Sequence, residues 1–145
     1  MKRYLLIILV LIVSVTKAQA VLDWSDLSDG IVFKTALTNT MLPEFRKATF
    51  VPDLKILDGK EVSITGYFLL IDTKQAVYLL SKNPMASCFF CGNGGLETVI
   101  DLSFEKKPSF EMDDLIIVKG IFRLNGDDPN KSYYRIENAD AFSFN

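Results

Sequence analysis

The stretch that decides the fold of this 145-residue chain is "EVSITGYFLLI", residues 61–71. Val62 and Ile64 alternate there with residues that carry hydroxyl groups, and this period of two predicts a β-strand. Gly66 lies inside the strand, where a glycine is typical of a bulge or a sharp bend. Such a bend allows a strand to curl around a small barrel.

Four further segments rich in valine, isoleucine and aromatic residues predict strands. These strands are predicted at residues 76–81, 96–102, 115–124 and 132–142, with turns at 58–60, 72–75 and 126–130. The strand at 115–124 again has a central glycine, Gly120. Since no helical pattern of useful length separates the strands, a parallel βαβ sheet is disfavoured. The pattern therefore predicts a mainly β protein, built as a small five-stranded antiparallel barrel.

The first 20 residues have the three-part pattern of a secretory signal peptide. Lys2 and Arg3 precede an apolar run, and Ala18-Gln19-Ala20 is a small-X-small cleavage site. The apolar run is short for a spanning helix, which needs about 20 residues, although an uncleaved anchor is the alternative. We therefore predict an exported protein, periplasmic or secreted, whose mature chain starts near Val21 and has no stable membrane insertion.

Charge and composition exclude several classes of function. The predicted signal peptide carries three of the 16 basic residues and no acidic one, which leaves 13 basic against 18 acidic side chains, a formal charge of −5. An acidic domain is poorly suited to the phosphate backbone, so no nucleic acid is expected as a partner. The chain contains no histidine, which excludes Ser-His-Asp and Cys-His catalysis and three-histidine zinc enzymes.

The sequence predicts that the chain consists of three segments. Residues 1–20 form the signal peptide, 21–57 an N-terminal arm packed on the barrel, and 58–145 the barrel itself. The arm is predicted to contain one short strand near Ile31–Thr35 and a helical turn over Pro52–Leu57. Pro43 and Pro52 discourage helix immediately before them.

Three motifs carry a resemblance to a known family. "LDGKEVSITGYFLLI", "YLLSKNPMASCFFC" and "VKGIFRLNGDDPNKSYYRIENADAF" resemble a group of uncharacterised bacterial exported proteins with OB-like barrels, over roughly residues 50–142. The group is distantly similar to zinc-containing lipoproteins, which have a Cys-X-His-Pro-rich loop where this chain has Cys88-Phe89-Phe90-Cys91. The resemblance implies an OB-like barrel. This chain differs in having no histidine in the loop, no proline run and no lipidated cysteine.

The only two cysteines, Cys88 and Cys91, lie in the loop "SKNPMASCFFCGNGG". Asn83 is a good N-cap, Pro84 a favoured first helical residue and Gly92 a natural residue after a helix C-terminus. The loop therefore predicts one short helix over residues 84–91. At a spacing of i, i+3 both sulfurs lie on one face of its last turn.

This arrangement leaves two interpretations open. The first is a disulfide, because an exported protein meets an oxidising environment and an i, i+3 pair can bring the Cα atoms within about 5–6 Å. The second is half of a zinc or copper site, because Cys-X-X-Cys-Gly-X-Gly has the shape of a zinc knuckle. Further ligands would come from Glu97, Asp101 or, for copper, Met85.

A thiol–disulfide oxidoreductase is the least supported interpretation. Reactive cysteines lie at helix N-termini, where the dipole stabilises thiolate, whereas Cys88 and Cys91 are predicted at a C-terminus. Phe89 and Phe90 cannot easily both point inward, so one of them is a candidate contact surface. Together these features predict a small binding or structural domain, rather than an enzyme, that recognises a protein or small ligand.

Overall fold

The computed structural model describes residues 19–34, 46–87 and 94–144. Strands dominate this part of the chain, and the helices are short. In chain order the elements are β1 (Ala20–Val21), α1 (Trp24–Gly30), β2 (Ile31–Phe33), β3 (Ala48–Phe50), α2 (Pro52–Lys55), β4 (Glu61–Asp72), β5 (Val77–Ser81), β6 (Val99–Phe104), β7 (Leu115–Leu124) and β8 (Tyr134–Ser143), with 3₁₀ turns at Met85–Ser87 and Leu96–Thr98.

Five of these strands close into a barrel in the order β4-β5-β6-β8-β7, with β7 pairing back onto β4. The predicted mainly β, five-stranded OB-like barrel is confirmed. Four of the five pairings are antiparallel, and the β6–β8 pairing is parallel. β7 follows β6 in the chain but lies one strand further along the sheet, and β8 returns between them. Because β8 is antiparallel to β7, it runs in the same direction as β6.

Gly66 lies where β4 changes its pairing partner, and the bend predicted there stays a prediction; the register shift of β4 with β5 lies further along, between Leu70 and Asp72. The first half of β4 pairs with β7, and its second half, from Tyr67 onward, pairs with β5. A Cβ atom at Gly66 would lie 2.7 Å from the carbonyl oxygen of Ser81 and 3.0 Å from the ring of Trp24. Only glycine allows the backbone of β4 to approach this closely.

Alternate residues of the barrel strands point inward and form one continuous core. Fully buried members include Phe68, Leu80, Ile100, Ile116, Val118, Phe122, Tyr134 and Ile136. Aromatic pairs stiffen this core: the ring of Tyr134 stacks on Phe122, with centroids 5.9 Å apart.

The barrel end next to Gly66 is covered by α1, a helix that the sequence pattern of the arm did not predict. Asp23 is the N-cap: its side chain accepts a hydrogen bond from the backbone of Ser25, and the carboxylate of Asp26 accepts one from the backbone of Asp23. Leu27 is completely buried in the barrel core, and the indole of Trp24 donates a 2.7 Å hydrogen bond to the carbonyl oxygen of Thr65. The helix thus closes one end of the barrel.

The rest of the N-terminal arm also contacts the barrel. β1 pairs in parallel with the first half of β4, and the backbone of Leu22 donates a 2.8 Å hydrogen bond to Ser63. This pairing covers backbone groups that β4 would otherwise expose along an edge. β2 lies where a short strand was predicted, and it pairs with β3. α2 begins at Pro52, where a helical turn was predicted. The predicted segment boundaries at residues 20 and 57 stay a prediction, and 1–18 lie outside the described residues.

Two predicted elements around the cysteine loop differ from the structure. The third barrel strand begins at Val99 rather than residue 96, because Leu96–Thr98 forms a 3₁₀ turn. The helix predicted over residues 84–91 is observed only as the 3₁₀ turn Met85–Ser87, and residues 88–91 lie outside the described residues.

Candidate functional site

The outer face of β4, β5 and β6 carries a second apolar cluster, formed by Leu69, Leu79 and Val99. These positions alternate with the inward residues of the same strands, so their side chains point away from the barrel interior. Yet they are only 0%, 6% and 2% exposed. Met85, from the connection between β5 and β6, packs against the cluster. The connection that contains the cysteines thus starts on an apolar platform, the Leu69–Leu79–Val99 cluster.

The first end of this connection is held by hydrogen bonds. The backbone of Met85 donates a 2.7 Å hydrogen bond to the carboxylate of Asp113, and the backbone of Ser87 donates one of 2.9 Å to Pro84. Asp113 has a φ of +68°, a left-handed conformation that aspartate tolerates better than most residues. The turn that precedes β7 therefore anchors the start of the connection.

The second end is held by a turn that leads into β6. The hydroxyl of Thr98 donates a 2.8 Å hydrogen bond to the carbonyl oxygen of Gly95, and the backbone of Lys82 donates one of 3.0 Å to Thr98. The latter bond joins the two ends of the connection directly. Both ends of the connection are therefore anchored on the same side of the barrel.

The sequence predicts Cys88 and Cys91 as the site, with Phe89 and Phe90 as a contact surface. All four lie outside the described residues, so their pairing stays a prediction. In residues 19–34, 46–87 and 94–144 no group of three or more histidine, cysteine, aspartate or glutamate side chains could hold a metal ion.

The three further ligands predicted for a metal are all placed by the structure. Met85 is half-buried against the apolar platform. Glu97 lies in the turn before β6, where one carboxylate oxygen accepts a 3.1 Å hydrogen bond from the backbone of Gly95. Asp101 lies on the outer face of β6, and its carboxylate accepts a 2.6 Å hydrogen bond from the hydroxyl of Ser132. The structure therefore gives both carboxylates partners within the protein.

Glu97 also acts on the barrel core through its charge. Burial raises the pKa of the Tyr134 phenol, and the negative charge of Glu97 raises it further. Burial likewise raises the pKa of Tyr133. Both phenols are therefore neutral hydrogen-bond donors at ordinary pH: Tyr134 donates to Leu27, and Tyr133 donates a 2.7 Å hydrogen bond to the carbonyl oxygen of Arg46.

A charged row that the sequence analysis missed continues the outer face beyond Asp101. Asp101 is in register with Arg135 on β8, and Arg135 with Arg123 on β7. Glu137 lies between the two guanidinium groups, with its oxygens 2.9 Å from Nε of Arg123 and 3.5 Å from Nη1 of Arg135. These residues lie far apart in the sequence, so only the strand register brings them together.

Within the described residues, no helix is long and apolar enough to cross a membrane. No protein-family model matches the chain, and no curated protein matches it. Among solved structures, the fold is similar to that of a DUF3299 family protein from Pseudomonas aeruginosa PAO1, with a TM-score of 0.54 and 16% sequence identity. The match covers 88% of this chain and 99% of that one. It supports the barrel architecture.

Proposed function

We propose that this chain is an exported binding domain that uses a stapled loop, the connection between β5 and β6, as its recognition surface. The observation that supports the proposal is the burial of Leu69, Leu79 and Val99 on the outer face of the barrel, beneath the start of this connection. Buried apolar residues on an outer face fix the loop to the scaffold. Binding residues are commonly carried by loops that a rigid scaffold positions.

In this proposal Cys88 and Cys91 form a disulfide. The signal-peptide pattern of residues 1–20 directs the chain to an oxidising compartment, where such bonds persist. A bridge between residues three apart closes a very small ring, so it contributes at the low end of the usual range of about 2–4 kcal/mol. Its main effect is to restrict the glycine-rich segment that follows, residues 92–95.

The recognition residues in this proposal are Phe89 and Phe90. Adjacent phenylalanines in a short connection offer apolar area to a partner, and exposed apolar side chains next to polar ones are typical of binding surfaces. The partner is a protein or a small ligand rather than a nucleic acid, since the mature chain would carry a formal charge of −5. A binding role is favoured over catalysis because the chain lacks histidine, the commonest general base.

The second candidate is a periplasmic zinc- or copper-binding protein that uses the same cysteine pair. Glu97 and Asp101 flank the start of β6 and would complete a four-ligand zinc set only by exchanging their hydrogen bonds with Gly95 and Ser132. Met85 offers a thioether for copper(I) at the other end of the connection. This candidate is second because metal binding would break hydrogen bonds that Glu97 and Asp101 already make.

The two candidates are separated by exporting the full chain in bacteria and analysing the purified protein. Intact mass and thiol titration, with and without reductant, report the state of Cys88 and Cys91, while elemental analysis reports bound metal. Two oxidised cysteines without metal support the staple. Two free thiols with one equivalent of zinc or copper support the metal site, and free thiols without metal contradict both.

A matched set of variants then tests the roles of individual residues. Cys88→Ser with Cys91→Ser should lower the free energy of unfolding by about 2 kcal/mol if the bond is a staple. For the metal candidate, the same variant should lose the ion, and Glu97→Gln or Asp101→Asn should weaken its retention. Ser87→Ala, next to the pair but outside it, serves as the control and should change neither quantity.

A further inference from the structure

A cleft of about 520 Å³ lies between the connection from β6 to β7 and the second half of β8. It is formed by the connection between β6 and β7, residues 105–110, and by residues 138–141 of β8. Its volume falls within the range of about 300–1,000 Å³ typical of small-molecule sites. None of the residues predicted as site residues contributes to it.

The cleft exists because of an irregularity in β8. The pairing of β8 with β7 shifts between Lys119 and Ile121, and its pairing with β6 shifts between Leu102 and Phe104. At the shift Asn138 has a φ of +51°, a left-handed conformation. Gly120 faces the irregularity, where a Cβ atom would lie 2.5 Å from Ile136 and 2.7 Å from the carbonyl oxygen of Glu137. A bulge of this kind is a common means of re-aiming side chains next to a site.

Small side chains leave the cleft open. Ala139 and Ala141 line its β8 side and are half-buried against the core, where a larger residue would fill the space. The other wall is aromatic: Phe110 contacts Phe68 edge to face, and Phe104 contacts Tyr78 in the same way, each with ring centroids 5.7 Å apart. The two aromatic rings that line the cleft are therefore held in place by residues of the barrel core.

The connection over the cleft is held differently from the rest of the barrel. Within the described chain, no hydrogen bond outside the sheet joins residues 105–110 to any other residue. Phe110 packs on the core and fixes one end of the connection, while Phe104 fixes the other. The residues between them can adjust around a ligand at small cost.

Side chains of both charges lie at the edge of the cleft and form no ion pairs with other described residues. Lys106, Lys107, Glu105 and Asp140 all line it, and none of them takes part in an ion pair of the described chain. The two carboxylates would repel an anion without a positive group, and the two ammonium groups would repel a cation without a negative group. A ligand with one charge of each sign can satisfy both pairs.

We propose that the cleft between residues 105–110 and β8 binds a small zwitterion with an aromatic or branched apolar body, the chemistry of a free amino acid. The apolar body packs between Phe104, Phe110 and the two alanines, and the carboxylate and ammonium groups of the ligand meet the lysines and the acidic residues of the rim. This site is independent of Cys88 and Cys91 and does not rest on the stapled-loop proposal.

The test titrates the ¹⁵N-labelled full chain with L-phenylalanine and follows its amide resonances by NMR. We expect saturable shifts at Ser109, Asn138 and Ala139, with a Kd on the order of millimolar. Three related probes define the chemistry: 3-phenylpropanoate, 2-phenylethylamine and glycine. Each should bind more weakly, by about two- to fivefold for the two probes that lack one charge. Equal affinity for either singly charged probe would overturn the zwitterion assignment.

Two variants locate the site. Ala139→Phe fills the cleft and should weaken phenylalanine binding at least about tenfold, the effect of losing about 1.4 kcal/mol. If that variant does not fold, Lys106→Gln with Lys107→Gln, both on the exposed rim, should remove the preference for phenylalanine over 2-phenylethylamine. Lys74→Gln, at an exposed lysine in the turn between β4 and β5, is the control and should bind as the unaltered chain does. No saturable shift at the cleft up to the solubility of phenylalanine, or shifts that persist in Ala139→Phe, would overturn the proposal.

Discussion

The hydroxyl of Tyr134, in β8, donates a 2.7 Å hydrogen bond to the carbonyl oxygen of Leu27, in α1. Both residues are completely buried, although 107 positions separate them in the sequence. Leu27 contributes one of the last four carbonyl groups of α1, which have no partner within a helix. The barrel therefore supplies a partner for the helix that closes its end.

Replacing Tyr134 with phenylalanine tests this link. Tyr134→Phe keeps the stacked ring but leaves the Leu27 carbonyl buried without its donor, so the free energy of unfolding should fall by about 1–3 kcal/mol. Denaturant unfolding measures the change. Tyr67→Phe is the matched control, because Tyr67 is half-exposed on the outer face of β4 and should change stability little. Equal losses in the two variants would contradict the role assigned to this bond.

The same tyrosine predicts how stability depends on alkaline pH. Burial raises the pKa of Tyr134 in the folded state above its unfolded value of about 10. The folded protein therefore keeps the phenolic proton to higher pH than the unfolded chain, so this contribution is present below pH 10 and is lost as the pH rises through the folded-state pKa.

We expect the free energy of unfolding to fall from about pH 10 upward. Tyr134→Phe should show a shallower fall, though not a flat one, because burial also raises the pKa of Tyr133. Denaturant unfolding at several pH values between 8 and the alkaline limit of the buffer measures the slopes. An unchanged slope in Tyr134→Phe would show that Tyr134 does not govern the alkaline transition.

Gly66 gives a third prediction, about the point where β4 changes its pairing partner. In Gly66→Ala the new methyl group would meet the Ser81 carbonyl at 2.7 Å and the Leu80 side chain at 2.8 Å, and we expect a loss of about 1–3 kcal/mol. Because the nearest atom belongs to the backbone, Leu80→Ala should not rescue the variant. Thermal unfolding of the single and double variants measures the coupling, and restored stability in the double variant would contradict the backbone contact as the cause.

Asn125 gives a fourth prediction, about the turn between β7 and β8. Its carboxamide nitrogen donates to the carbonyl oxygens of Asp128, Lys131 and Ser132, and its oxygen accepts from the backbone of Asp127 and Asp128. Asn125→Asp keeps the acceptor but removes every donor, so the turn should lose about 1–3 kcal/mol of stability.

Hydrogen exchange of the amides in residues 125–133 and denaturant unfolding measure the loss in Asn125→Asp. Asn130→Asp is the control, because Asn130 is exposed and its side chain makes one hydrogen bond, of 3.2 Å, to Asp128. Equal effects of the two substitutions would argue against Asn125 as the organiser of the turn.

Local pattern was enough to predict much of the barrel. The alternation in residues 61–71 predicted β4 almost to its observed ends, and β7 lies exactly where the apolar run 115–124 predicted it. The capping signal of α1 was also local, since Asp23 and Asp26 have the spacing of a capping box, but its short apolar pattern did not stand out as a helix. Signals of this kind depend only on neighbouring residues.

Candidate site residues were predictable only as residue types. The spacing of Cys88 and Cys91 suggested a disulfide or half of a metal site, whereas the anchoring of their loop by Asp113 depends on a residue from another strand connection. The cleft beside Ala139 could not be predicted either, because it arises where two strand pairings shift at one bulge.

By itself, the sequence determined which segments form the five strands of the barrel, because strand periodicity is a property of a few consecutive residues. Only the tertiary structure decided which strands are neighbours, and hence that Leu69, Leu79 and Val99 are buried although they point outward. The same register brought Arg123 beside Arg135, and the packing of α1 on the barrel end brought Leu27 to Tyr134. Such relations join residues distant in the chain, and closing the barrel fixes them all together.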